Sequence, residues 1–132
     1  MSAVVDASVL VKALLSVGPD GEWAEAIVAA GSLHAPDLAL AETSHVLRRL
    51  ELAKEISTAE ANAAHEDLMQ LNIELFSCEP FAERIWELRH TLTSYDAWYV
   101  ALAEALRLPL ATFDERLAKT KGTNCKFLTP RS

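Results

Sequence analysis

The sequence predicts an α/β domain, a mostly parallel sheet of about five short strands flanked by helices. Three observations predict it. Short apolar, often β-branched runs ("AVVD", "SLHAP", "IELFSC", "PLATF", "CKFLT") alternate with longer amphipathic stretches. Turn and cap signals separate them, among them Gly18-Pro19, Gly31, Pro36 and the capping-box pattern "STAE" from Ser57. Apolar residues make up 51% of 132, which suits a single domain over residues 1–132 with a real core.

"AVVD" is β-branched and ends in an acid, so it reads as a buried strand. Ser8 to Val17 reads as a helix stopped by Gly18-Pro19, and Asp20 to Ala30 as a second closed by Gly31. "SLHAP" is a strand ended by Pro36. Asp37 to Lys54 is a longer amphipathic helix with Asp37 as its N-cap. Ser57 opens a helix to about Leu71, and Ile73 to Cys78 alternates as a strand. Pro80 to Leu92 is helical, and Ser94 caps a helix to Arg107. "PLATF" (Pro109 to Phe113) is a strand, Asp114 to Lys121 a helix and "CKFLT" a last strand. Right-handed crossovers follow from this alternation, and ligands then bind beyond the carboxyl ends of the strands.

The net charge of −7 argues against broad nonspecific nucleic-acid binding. From Glu115 to Ser132, however, there are five basic residues and one acid. Arg116, Lys119 and Lys121 are candidates for a phosphate-facing patch; a solvated tail is the alternative. No apolar run approaches the ~20 residues of a membrane span. The apolar N-terminal stretch lacks a basic flank, so no signal peptide is read and a cytoplasmic protein is expected. Cys78 and Cys125 form no CxxC pair and read as buried thiols.

Four acids fall on the predicted ligand edge. Asp6 ends the first strand and Asp114 follows "PLATF". Asp96 opens the helix that feeds that strand, and Glu42 lies in the early turns of the helix after "SLHAP". Asp6 and Asp114 could equally be N-caps, and Asp96 could serve the helix dipole. Glu42 sits at the margin of a stripe formed by Leu38, Leu40, Val46, Leu47 and Leu50, where a carboxylate is partly desolvated. Two carboxylates about 6 Å apart repel by roughly 3 kcal/mol at an effective dielectric of 20. Four clustered acids therefore ask for a cation, and oxygen ligands select Mg²⁺ or Mn²⁺. The chemistry this suits is metal-assisted phosphodiester hydrolysis. Ser8 and Thr112 fit the same edge as hydroxyls orienting carboxylates or water.

"VVDASVLV", "APDLALAETSHVLRRL", "LTSYDAWYVALAEAL" and "LPLATFDERLAK" resemble, in order and spacing, the motifs of PIN domains, and more closely those of VapC-type toxins of toxin–antitoxin pairs. The resemblance implies an endoribonuclease using Mg²⁺ or Mn²⁺, a homodimer, and a cognate VapB-type antitoxin whose tail occupies the active-site groove. Asp6, Glu42, Asp96 and Asp114 match the acidic quartet, and Ser8 and Thr112 match frequent hydroxyl positions. His45 departs from the small polar residue frequent in relatives.

"ETSH" and "ELRH" both fit the Glu-x-x-His of di-iron proteins, but that site needs four long helices and the strand signals oppose it. A receiver-like phosphoacceptor would want a paired acid beside Asp6. A PIN-like binding module without catalysis and a housekeeping RNA-processing nuclease stay open. Trp23, Trp86, Trp98 and Tyr99 read as core or dimer packing rather than base stacking.

Overall fold

The computed structural model describes residues 1–131. Its centre is a five-stranded, all-parallel sheet in the order β3-β2-β1-β4-β5. The strands are β1 (Ala3–Val5), β2 (Leu33–Pro36), β3 (Ile73–Phe76), β4 (Leu110–Ala111) and β5 (Phe127–Leu128). Val4 and Val5 in β1 and Leu110 and Ala111 in β4 are fully buried, as expected of strands covered on both faces. The helices are α1 (Ala7–Leu15), α2 (Gly18–Ala29), α3 (Leu38–Leu52), α4 (Thr58–Gln70), α5 (Ala82–Glu87), α6 (Ser94–Leu106) and α7 (Glu115–Ala118). Among the described residues no helix is long and apolar enough to cross a membrane.

The chain winds from β1 toward β2 and β3, then returns across β1 to β4 and β5. That reversal makes β1/β4 the topological switch point, where side chains past the two strand ends face one crevice. The core packs α6 against this centre through Ala97, Val100, Ala101, Leu102 and Ala103, all buried. On α3 the buried positions are Ala39, Thr43 and Leu47, while Leu38, Leu40, Val46 and Leu50 flank them. Thr43 is accommodated because its hydroxyl donates to the Ala39 carbonyl at 2.7 Å.

Several expectations are corrected. Gly18-Pro19 does not separate the first two helices; it opens α2, since proline lacks only an N–H that the first turn leaves unbonded. The first helix ends earlier, at Leu15, with Ser16 left-handed at φ 55°. Asp37 makes no side-chain cap; its backbone is helical and its N–H goes to the Phe76 carbonyl. Thr93, not Ser94, caps α6, its hydroxyl accepting from the Asp96 N–H at 3.1 Å. The helix expected from Pro80 to Leu92 is a 3₁₀ turn (Glu79–Phe81) followed by the six-residue α5. The helix expected from Asp114 to Lys121 is four residues long. Trp86 is 66% exposed and Cys78 is exposed, so neither is core. Gly31 does more than stop a helix: a β-carbon there would lie 2.4 Å from the Met1 carbonyl oxygen.

A polar clamp fixes the segment between β4 and β5. Arg84 on α5 forms a two-pronged pair with Glu104 on α6, at 2.8 and 3.1 Å, and donates to the Gly122 carbonyl at 2.8 Å. Glu104 also accepts from the Asn124 N–H at 2.6 Å. Glu104→Ala removes both prongs of this pair and the acceptor of the Asn124 amide, while Arg84 keeps Glu87 and the Gly122 carbonyl, and is expected to cost about 1–2 kcal/mol in urea unfolding. An unchanged midpoint would show that the clamp contributes no net stability.

Candidate active site

Asp6 is the last residue before α1 and its N-cap, with Oδ1 accepting from the Val9 N–H at 3.2 Å. The Ser8 hydroxyl donates to the same oxygen at 2.5 Å, and the Thr112 hydroxyl to Oδ2, also at 2.5 Å. Each hydroxyl also accepts from a backbone amide, Ser8 across the switch point and Thr112 within its own segment. Ser8 Oγ accepts from the Phe113 N–H at 3.1 Å, and Thr112 Oγ1 from the Asp114 N–H at 3.0 Å. β1 and the residues after β4 are thus tied together by one carboxylate and two hydroxyls. A carboxylate offers about four lone-pair positions; three here are filled, leaving one on Oδ2.

Asp114 caps α7, its Oδ1 accepting from the Arg116 and Leu117 N–H groups at 3.0 and 3.1 Å. The alternative reading of Asp6 and Asp114 as caps is therefore correct as far as it goes, since each side chain also faces the strand edge. Asp96 lies in the first turn of α6. Glu42 is half-buried on α3 and its Oε1 accepts from the Tyr99 hydroxyl at 2.7 Å.

Electrostatics shows how the four relate. Burial pushes the Asp6 carboxyl up, against the opposing effect of its hydrogen bonds from the Ser8 and Thr112 hydroxyls and the Val9 amide. Burial and then the Asp114 charge push Asp96 up, opposed by Thr93. The Tyr99 hydroxyl is raised by burial and by Glu42, with further contributions from Asp6 and Asp96. Asp6, Glu42 and Asp96 each act electrostatically on Tyr99, and Asp96 in turn feels Asp114. Asp96 and Asp114 line a cleft of about 350 Å³ with Thr91, Leu92, Thr93, Arg116, Leu117 and Thr120. The four acids do not converge: among the described residues no three Asp, Glu, His or Cys side chains form a ready-made ligand set, and of the four only Asp96 and Asp114 line the cleft. No lysine, arginine or histidine among the described residues pairs with any of the four.

Of the basic candidates, Arg116 lines the cleft, whereas Lys119 and Lys121 are exposed just beyond it. His45 is exposed on α3, three residues past Glu42. The group missed from sequence is Tyr99. Its ring is core, as expected, but its hydroxyl is Glu42's partner. The available signal was its spacing: Tyr99 lies three residues after Asp96, on the same helix face.

A parallel α/β sheet with acids gathered past β1 and β4 defines a PIN-type site, and the comparisons agree. The PIN domain model matches residues 3–122. Ribonuclease VapC1 of Mycobacterium tuberculosis is 45% identical over 130 residues, covering 94% of each chain. Ribonuclease VapC9 of the same organism is 41% identical over 129 residues, covering 97% of this chain and 98% of its own. Among solved structures, the sarcin–ricin-loop-cleaving toxin VapC20 of M. tuberculosis has a TM-score of 0.68 at 18% identity, covering 92% of this chain and 96% of that one. A toxin–antitoxin complex from Klebsiella pneumoniae gives 0.68 at 21% identity, covering 97% of both. The chain belongs to the PIN-domain family, within its VapC ribonuclease branch.

Proposed function

We propose that the chain is a metal-dependent endoribonuclease, the toxin of a VapBC-type toxin–antitoxin pair. The observation that carries the reading is the uncompensated carboxylate group at the switch point. Asp6 is held rigid by Ser8 and Thr112 with one lone pair left over. Glu42 Oε2 and Asp114 Oδ2 accept no hydrogen bond among the described residues. These donors are all oxygen and carry unpaired negative charge, which fits Mg²⁺ or Mn²⁺. Asp6, Glu42, Asp96 and Asp114 would hold the ion. When bound, it supplies Lewis acidity and charge neutralisation to a phosphodiester.

The chain's own residues do the rest. Ser8 and Thr112 fix the Asp6 carboxylate, so its orientation costs nothing on binding. Arg116, at the cleft wall, contacts an RNA phosphate, with Lys119 and Lys121 reaching further along the strand. The Thr93 hydroxyl steadies Asp96 at the opposite wall.

RNA is the proposed substrate, and a cognate VapB-type antitoxin and a second copy of the chain are the proposed partners. The toxin–antitoxin complexes of similar fold support the antitoxin. Exposed apolar side chains at Val17, Leu52 and Trp86 are surface available to either partner. The direct test is cleavage of single-stranded RNA by the purified chain. Cleavage is expected with Mg²⁺ or Mn²⁺ and absent in excess EDTA; undiminished cleavage in EDTA would sink the metal reading.

A further inference from the structure

We propose that Tyr99 is a positioning residue of the acidic site, holding Glu42 in place through a hydroxyl that adds no charge. The inference rests on the reading of the four acids as a cation site. It begins from reach. Tyr99 and Glu42 are 57 residues apart and on different helices, yet the hydroxyl lies 2.7 Å from Oε1. No other hydrogen bond to the Glu42 carboxylate exists among the described residues. Glu42 is therefore oriented by Tyr99 alone, where Asp6 has three donors and Asp114 two.

Rigidity comes next. The Tyr99 ring is 3% exposed and packed within the core cluster, so its hydroxyl has little freedom. A glutamate on the side of a helix has three rotatable bonds and would otherwise sample solvent. Anchoring Oε1 commits the side chain to the crevice and leaves Oε2 unbonded.

Chemistry explains the choice of donor. A lysine in this place would also bind Glu42, but its charge would cancel one of the four negative charges and compete with a cation. A phenol donates one hydrogen bond and remains neutral. Three carboxylates, Glu42, Asp6 and Asp96, act electrostatically on this hydroxyl, and Glu42 alone accepts its hydrogen bond. Its loss is felt first by Glu42, the only one of the three to which it donates a hydrogen bond.

The experiment is a double-mutant cycle of Tyr99→Phe and Glu42→Ala, read by Mn²⁺ titration of the thermal melting temperature and by kcat and KM on single-stranded RNA. Tyr99→Phe keeps the buried ring, and the metal-free melt checks its fold. Tyr99→Phe is expected to weaken Mn²⁺ binding by about 10–100-fold, the usual effect of losing a group that orients a ligand. It should lower kcat with little change in KM. In the Glu42→Ala background, removing the hydroxyl should change nothing further. Wild-type Mn²⁺ binding in Tyr99→Phe, with Glu42→Ala impaired, would overturn the role of Tyr99 and leave the acid site standing. A loss in Tyr99→Phe that persists undiminished without Glu42 would equally overturn it. Wild-type Mn²⁺ binding in Glu42→Ala would overturn both the inference and the site.

Discussion

Asp6→Asn is expected to abolish RNA cleavage, lowering the rate by about a hundredfold or more, as loss of a preorganised charged group commonly does. Two consequences act together. The site loses a unit of negative charge, and the amide replaces one acceptor oxygen with a donor. Ser8 and Thr112 both donate to Asp6, so one of them would face an N–H₂ group whichever way the amide turns. A Thr112→Val control keeps the shape and the Asp6 charge but removes one donor. It should lose less, about 10–100-fold. Cleavage rates with sequenced RNA ends measure both, and near-UV circular dichroism checks folding. Wild-type cleavage by a folded Asp6→Asn protein would contradict the assignment.

The second large effect is on stability. Asp6 and Asp96 both have folded-state pKa values raised above the ordinary 3.8, by burial and, for Asp96, by the Asp114 charge as well. Between the ordinary and the raised values the native protein holds more protons than the unfolded chain. Metal-free stability should therefore rise as pH falls from neutrality through that interval, and be lost as pH rises through it. Glu104 and Glu60 have lowered values and work in the opposite sense, so below the ordinary carboxylate range the gain gives way to acid destabilisation. At neutral pH, Mg²⁺ should replace protons as the stabiliser, contributing roughly 2.7 kcal/mol at a hundred times its Kd. Asp96→Asn should be more stable than wild type without metal and gain less from Mg²⁺. Thermal melts of both proteins across pH, with and without Mg²⁺, measure this. An equal Mg²⁺ shift in both would mean that the ion does not act through Asp96.

Much of this arrangement was legible in the sequence because it depends on local order. An acid directly after a parallel strand must lie on its carboxyl edge, which located Asp6 and Asp114, and a helix feeding the next strand must begin there, which located Asp96. What was not legible depends on tertiary contact. The short α5 and α7 lie in sequences whose helical pattern runs on past their ends. Asp37 has cap chemistry, yet its backbone is helical rather than extended, so its side chain makes no bond to the first-turn amides. The Tyr99–Glu42 bond joins residues distant in sequence, and apolar neighbours made the tyrosine read as core alone. Trp86 is exposed although its helix looks amphipathic, and Arg89 lies over its ring at 4.4 Å.

The hydroxyl relay across the switch point also confers a kinetic reporter. The Phe113 and Asp114 amides do not close onto a neighbouring strand; they end on Ser8 and Thr112 side chains, both bonded to one carboxylate. Solvent deuterium can reach these two amides only when that relay opens. Exchange at Phe113 therefore times the parting of β1 from the end of β4, separately from exchange in the sheet ladder, while Asp114, bonded to Thr112 within its own segment, reports that turn. A cation or an antitoxin bound at the crevice would slow this pair of amides together, while the outer strand β3 kept its own rate.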